Sequence, residues 1–172
     1  MLLDKYLSAY DFNECHSIKL NALANGIYEK MISCDISRSF LIRLLFRLRG
    51  MPKHLYTIEH LTSVGFIKLD EQPGKEIIYG IVTTSPAFSC CQSNLSPRSF
   101  IQNTDASIIK AVINFQLQSV NNSSHIISTE TRVWCGSSTM RTKFRLYWFF
   151  IKPFSQLIRI SMLKQMKHQI LK

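Results

Sequence analysis
The sequence predicts an α+β fold, antiparallel strands followed by one long C-terminal helix. Three observations predict it. Apolar residues alternate with polar ones at the start of the chain and again over Ser107–Gln118 and Ser123–Cys135, the pattern of half-buried strands. Short helical stretches fill the gap between them. From Ser137 to Leu171 the period becomes helical without interruption, for roughly 35 residues or about 50 Å.

In chain order, "FNECHSIKLNA" (Phe12–Ala22) places Phe12, Glu14, His16, Ile18 and Leu20 on one strand face. Ala24–Ser33 reads as a short helix. "SRSFLIRLLFRLRG" collects Phe40, Leu41, Leu44, Leu45 and Leu48 on one helical face, capped by Ser37 or Ser39 and stopped by Gly50 and Pro52. A third short helix is predicted over Lys53–Ser63, ending at Val64 and Gly65. The period then falls to two: Phe66–Glu71, the turn "QPGK" and Glu76–Thr84 make a hairpin. Ser85–Pro97, rich in Ser, Pro and Asn, reads as a mobile loop, followed by a brief strand over "SFIQN". Ile109, Ala111, Ile113, Phe115 and Leu117 share one face of the next strand. The turn "SVNN" then returns the chain into a strand with Ile127, Thr129, Thr131, Val133 and Cys135 on one face and Ser128, Glu130, Arg132 and Trp134 on the other. Glu130 and Arg132 read as an outer-face ion pair worth little. At 172 residues the chain is expected to form one domain with a substantial core.

Charge is the compositional outlier. Twenty-one basic side chains against eleven acidic ones leave a net charge of +10. No acid follows Glu130, whereas Arg132, Arg141, Lys143, Arg145, Lys152, Arg159, Lys164, Lys167 and Lys172 do. A second basic cluster (Arg38, Arg43, Arg47, Arg49, Lys53) lies between Asp35 and Glu59 with no acid inside it. Such asymmetry attracts phosphate, anionic lipid or an acidic partner. The plainer reading is that these are the solvated faces of amphipathic helices.

Within "FRLYWFFIKPFSQLIR" (Phe144–Arg159) the uncharged run Leu146–Ile151 is six residues long, far short of the ~20 that a membrane span needs. At 100° per residue, Arg141, Arg145, Lys152 and Arg159 fall within a ~40° sector. Phe144, Tyr147, Ile151, Ile158 and Met162 face away from it, with Phe150, Phe154 and Leu157 beyond. An apolar arc this wide is expected to bury its aromatics on the sheet or on a partner, with the arginines toward water. Pro153 removes the hydrogen bond to the carbonyl of Phe149 and is expected to kink the helix. The five cysteines form no CxxC and lie at no metal-ligand spacing, so free thiols, no metal and a reducing, cytoplasmic setting are expected. With Asp4 where a cationic region would stand and only a short apolar run, "MLLDKYLSAYDF" is not expected to act as an export signal.

The element order, with the segments "STETRV" and "FRLYWFFIKPFSQLIRISMLKQMK", resembles a bacterial branch of the START/polyketide-cyclase (SRPBCC, helix-grip) superfamily. The likeness covers nearly the whole chain, departs from it at Ser85–Pro97, and includes no catalytic signature. It implies a helix-grip fold, a curved antiparallel sheet wrapped around the long C-terminal helix, with a cavity between them that takes a small hydrophobic or amphipathic, lipid-like ligand. Phe115, Thr129 and Thr131 would then line the sheet side, and Phe144, Tyr147, Trp148 and Ile151 the helix side, with Trp148 at the rim. Each of these has a plainer reading as core filling, and a buried threonine hydroxyl is commonly satisfied locally.

Some relatives of that superfamily are enzymes. Glu14 and His16, two residues apart on the inner strand face, are the weak candidates for acid–base work, with Tyr79 in the same zone. Their plainer reading is a strand end near solvent. No GxSxG, P-loop, HExxH or GxGxxG is present, and no cofactor is expected. A nucleic-acid surface has the charge and the aromatics but no binding motif, and is disfavoured. Peripheral contact with an anionic membrane through Arg141, Arg145, Lys152 and Arg159 is the stronger alternative, compatible with ligand binding.

Overall fold
Five strands form one antiparallel sheet in the order β1-β5-β4-β3-β2. The computed structural model describes residues 1–22, 26–36, 39, 42–43, 57–88, 91–92 and 95–172. A short helix, α1 (Leu3–Tyr6), precedes β1 (Phe12–Asn21). The chain then crosses to the far edge of the sheet through α2 (Ile27–Ile32) and a 3-10 helix (Ile58–Val64). From there β2 (Ile67–Gln72), β3 (Glu76–Thr83), β4 (Ile109–Asn121) and β5 (Ser124–Cys135) meander back until β5 lies against β1. Between β3 and β4 sits α3 (Pro97–Gln102), and α4 (Ser138–Ile170) closes the chain with 33 residues. The α+β arrangement expected from the sequence, an antiparallel sheet holding a long C-terminal helix, is therefore present. Of the expected helix over Phe40–Leu48 only Ile42 and Arg43 are described, and both are helical; its other residues and the start of the one at Lys53 lie outside the described residues.

Two local corrections have clear causes. The "SFIQN" segment is helical, not extended. Ser96 takes the N-cap, its Oγ accepting from Ser99 N while Ser99 Oγ accepts from Ser96 N, and Pro97 occupies the first turn, where its missing N–H costs nothing. The β4–β5 hairpin is also longer than expected: pairing continues to Asn121 opposite Ser124, so the turn is only Asn122-Ser123.

The sheet is covered on both faces except along β1, whose outward Asn13, Cys15, Ser17 and Lys19 are exposed. The outer face carries Ile78, Val82 and Val112, covered by Leu3, Tyr6 and Leu7 of the N-terminal segment and by Phe100 of α3. That lid is pinned electrostatically. Arg132 donates from Nη1 to Asp4 Oδ1 (2.7 Å) and to the Leu7 carbonyl (3.1 Å), and from Nε to Glu130 Oε1 (2.8 Å), beneath the ring of Tyr10. The Glu130–Arg132 pair expected on the outer face is present, but α1 lies over it and both side chains are largely buried. Lys110 is buried on the same face between the rings of Phe100 and Trp134, donating to the carbonyls of Phe100 and Ile101. Desolvation lowers its pKa.

The inner face holds α4 through two apolar clusters. Phe144 and Met140, near the start of α4, pack with Ile109, Ala111, Val133, Ile81 and Phe12. Met162, Leu163, Met166 and Ile170, near its end, pack with Leu20, Ile77, Tyr79, Ile113, Phe115 and Ile127. Pro153 lies inside the helix, which continues through it. No helix among the described residues is long and apolar enough to cross a membrane.

Candidate functional site
Between those two clusters, the inner face of β1 and β5 is polar. Antiparallel pairing puts Glu14 opposite Thr131 and His16 opposite Thr129, so the four side chains make a square on the helix side of the sheet. Above them the buried residues of α4 are no longer apolar: Ser155 is buried, and Arg159 reaches down from the next turn.

The geometry ties these groups together. His16 Nε2 donates to Glu14 Oε1 at 2.7 Å, and Arg159 Nη1 donates to Thr129 Oγ1 at 3.2 Å. Arg159 Nε stands 4.0 Å from Glu14 Oε1. The Glu14 side chain is only 4% exposed, against 17% for His16 and 12% for Arg159. Two oxygens here are buried without a hydrogen-bond partner among the described residues: Glu14 Oε2 and Thr131 Oγ1. A buried carboxylate oxygen or hydroxyl left unpaired is costly and calls for an explanation. Chemically, the group offers a carboxylate acceptor, a hydroxyl that both donates and accepts, and an imidazole held by a carboxylate, which can hold or pass a proton.

The expected site residues divide accordingly. Thr129 and Thr131 join Glu14 and His16 in the polar square. Phe115 lies in the cluster at the far end of α4, and Phe144 in the cluster at its start. Tyr147 and Trp148 are half-buried around Phe144, Trp148 stacked on its ring at 5.8 Å and Tyr147 tilted at 5.9 Å. Ile151 is half-buried. The expected single wall of aromatics is thus two apolar ends with a polar middle.

Three expectations about orientation are corrected. Glu14 is not at a solvated strand end, because α4 crosses over it. Arg159 does not face water with the other bases; a carboxylate that cannot reach solvent draws the guanidinium inward. Phe150, Phe154 and Leu157 do not turn toward the sheet but are exposed, together with Leu146, Phe149 and Ile160. Of the remaining expected surface bases, Arg145 and Lys152 are exposed, and Arg141 is half-exposed in an ion pair with Asp11 (2.7 Å).

The residues that the sequence reading missed here are Arg159, in this inward role, and Ser155. Among the described residues no group of three or more His, Cys, Asp or Glu side chains is placed to hold a metal ion. Among the described residues Cys15 and Cys135 are free thiols, Cys91 Sγ donates to the Phe88 carbonyl at 3.1 Å, and Cys90 lies outside the described residues. Of the expected loop Ser85–Pro97, Cys91 bridges to Thr83 and Gln92 N donates to the Val82 carbonyl, so that part is tied to the end of β3.

Burial sets the alkaline behaviour of this inner face. It pushes the Tyr79 hydroxyl up to about 12 and the Cys135 thiol up to about 12, from ordinary values of 10.0 and 9.0. Both groups are neutral when protonated, and their folded pKa values lie above the unfolded ones. Their stabilisation is therefore fully present below about pH 9 and is lost as pH rises toward about 12. Urea unfolding across that range should show stability falling, with Tyr79 alone accounting for a few kcal/mol, on the order of 1.4 kcal/mol per pKa unit. Tyr79→Phe should flatten the fall; an unchanged slope would exclude Tyr79 as a source.

No family model matches this chain, and no curated protein does. Among solved structures, the crystal structure of a conserved protein from Geobacillus kaustophilus is similar over 93% of this chain and 95% of that one, at 9% identity and a TM-score of 0.45.

Proposed function
We propose that this protein binds a small apolar or amphipathic molecule between its sheet and C-terminal helix, as a helix-grip protein of the START/polyketide-cyclase kind. The polar end of that molecule meets Glu14 and Thr131. One observation carries the reading: two buried oxygens, Glu14 Oε2 and Thr131 Oγ1, face the helix without hydrogen-bond partners among the described residues, flanked on either side by apolar clusters. A site that hydrogen-bonds one end and surrounds the rest with apolar side chains is what an amphipathic ligand requires. The chemistry selects its head group. Glu14 as a carboxylate only accepts, and it already stands beside Arg159, so the complementary group is a neutral donor such as a hydroxyl or an amide N–H. A carboxylate head would set two like charges against each other.

Native mass spectrometry of the purified protein, with organic extraction of whatever is bound, tests the reading. A long-chain alcohol such as dodecanol should bind more tightly than dodecanoate. Glu14→Gln should weaken the alcohol about tenfold or more, the scale of a hydrogen bond to a charged group. No adduct with any amphiphile, and an interior filled throughout by side chains and water, would overturn it.

A further inference from the structure
The outward face of α4 is apolar as well as its inward one. Leu146, Phe149, Phe150, Phe154, Leu157 and Ile160 are all exposed, Phe149 by 74%, Leu146 by 66% and Phe150 by 62%. At 100° per residue they span a sector of about 140°, opposite the side chains buried on the sheet, and they run for about 20 Å along the axis. Phe149 and Phe150 meet edge to face at 5.3 Å, which presents two rings side by side to the outside. A contiguous apolar stripe of this kind marks an interaction surface.

Charge identifies what it meets. Arg145 and Lys152 run along one border of the stripe, and Lys143 and Lys164 stand near its two ends, all exposed. The helix carries no acidic residue at all, and none follows Glu130 in the chain. A second copy of this protein docked stripe to stripe would bring those bases against the same bases, with no carboxylate on either helix to pair them. An anionic lipid surface suits both features, because acyl chains take the Phe and Leu side chains while headgroups take the Lys and Arg ends. The geometry points to a peripheral membrane protein that lies on anionic bilayers through the outer face of α4, sinking Phe149, Phe150 and their neighbours below the headgroups. This conclusion does not depend on what binds beneath the helix.

The test uses the full chain and vesicles of phosphatidylcholine mixed with phosphatidylglycerol, against vesicles of phosphatidylcholine alone. Flotation should recover the protein with the anionic vesicles only, and salt near 1 M, where the Debye length is ~3 Å, should weaken that binding. Phe149→Gln with Phe150→Gln, and separately Arg145→Glu with Lys152→Glu, should each lower the partition coefficient at least tenfold. Each pair should leave the thermal unfolding midpoint unchanged, because all four side chains are exposed. The proposal is overturned by wild-type protein that stays with the unbound fraction, by variants that bind as the wild type does, or by a dimer in the absence of lipid that the Phe149/Phe150 pair dissolves. That last result would assign the stripe to a second copy.

Discussion
Arg159→Met is expected to destabilise the protein by about 3 kcal/mol or more, whereas the double variant Glu14→Gln/Arg159→Met should lose far less. The asymmetry follows from burial. In the wild type the Glu14 carboxylate is almost wholly enclosed, with His16 at 2.7 Å and the guanidinium of Arg159 at 4.0 Å. Removing the cation alone leaves a desolvated charge with one neighbour, and it also strips Thr129 Oγ1 of the N–H it accepts. Removing the charge at the same time takes away the reason the cation was needed. The coupling between the two sites, read from urea unfolding of the two single variants and the double, should be 1 kcal/mol or more in favour of the pair. Additive losses would mean that Arg159 acts through packing of its stem and not through Glu14.

How much of this was legible in the sequence depends on which physical signal each residue sends. Alternation over Phe12–Asn21 and over β4–β5, and the long helical period after Ser137, specify strands and helix because burial on a sheet or helix face repeats at fixed intervals. The same rule put Thr129 and Thr131 beside each other correctly, since register across β1 and β5 carries them with Glu14 and His16. Which side of α4 is buried was less legible, because the helix is apolar on two opposite faces and a wheel cannot rank them. Phe144 and Phe150 look equivalent in sequence; the first is buried and the second exposed. Arg159 was sorted with Arg145 and Lys152 by angle alone. A signal to the contrary did exist: a lone acid on an inner strand face needs a cation, and Arg159 stands one turn before Met162, on the side of the helix that the sheet covers. Arg132 had the same kind of answer, since Asp4 and Leu7 meet it only after more than a hundred residues of chain have folded back.

The largest loss of stability from a single methyl group is expected at Gly136. This residue joins the end of β5 to the helix, between Cys135 and the N-cap Ser137, whose Oγ accepts from Met140 N. Its φ is not in the left-handed region, so space and not backbone freedom demands glycine. A Cβ built there falls 2.1 Å from the carbonyl oxygen of Asp105 and 3.0 Å from the Cα and carbonyl carbon of Ala106. All three are backbone atoms, and they cannot swing aside as a side-chain tip can. Nor is the segment free to retreat: Gly136 N donates to the Ile108 carbonyl at 2.9 Å, and the Asp105 carboxylate accepts from Ser107 N and Oγ. Relief must come from shifting the joint itself, which moves Met140 and Phe144 out of register with Val133 and Ala111 beneath them. Gly136→Ala should therefore cost about 3 kcal/mol or more, lowering the melting midpoint by roughly 10 °C in a chain of this size. Gly74→Ala is the control. Gly74 has φ 77° in the β2–β3 turn and nothing within 4 Å of its Cβ position, so it should cost only the ~1–2 kcal/mol of a left-handed alanine. If Gly136→Ala proved no worse than Gly74→Ala, the joint between sheet and helix would be compliant, and the rigid placement of Arg159 over Glu14 would need another source.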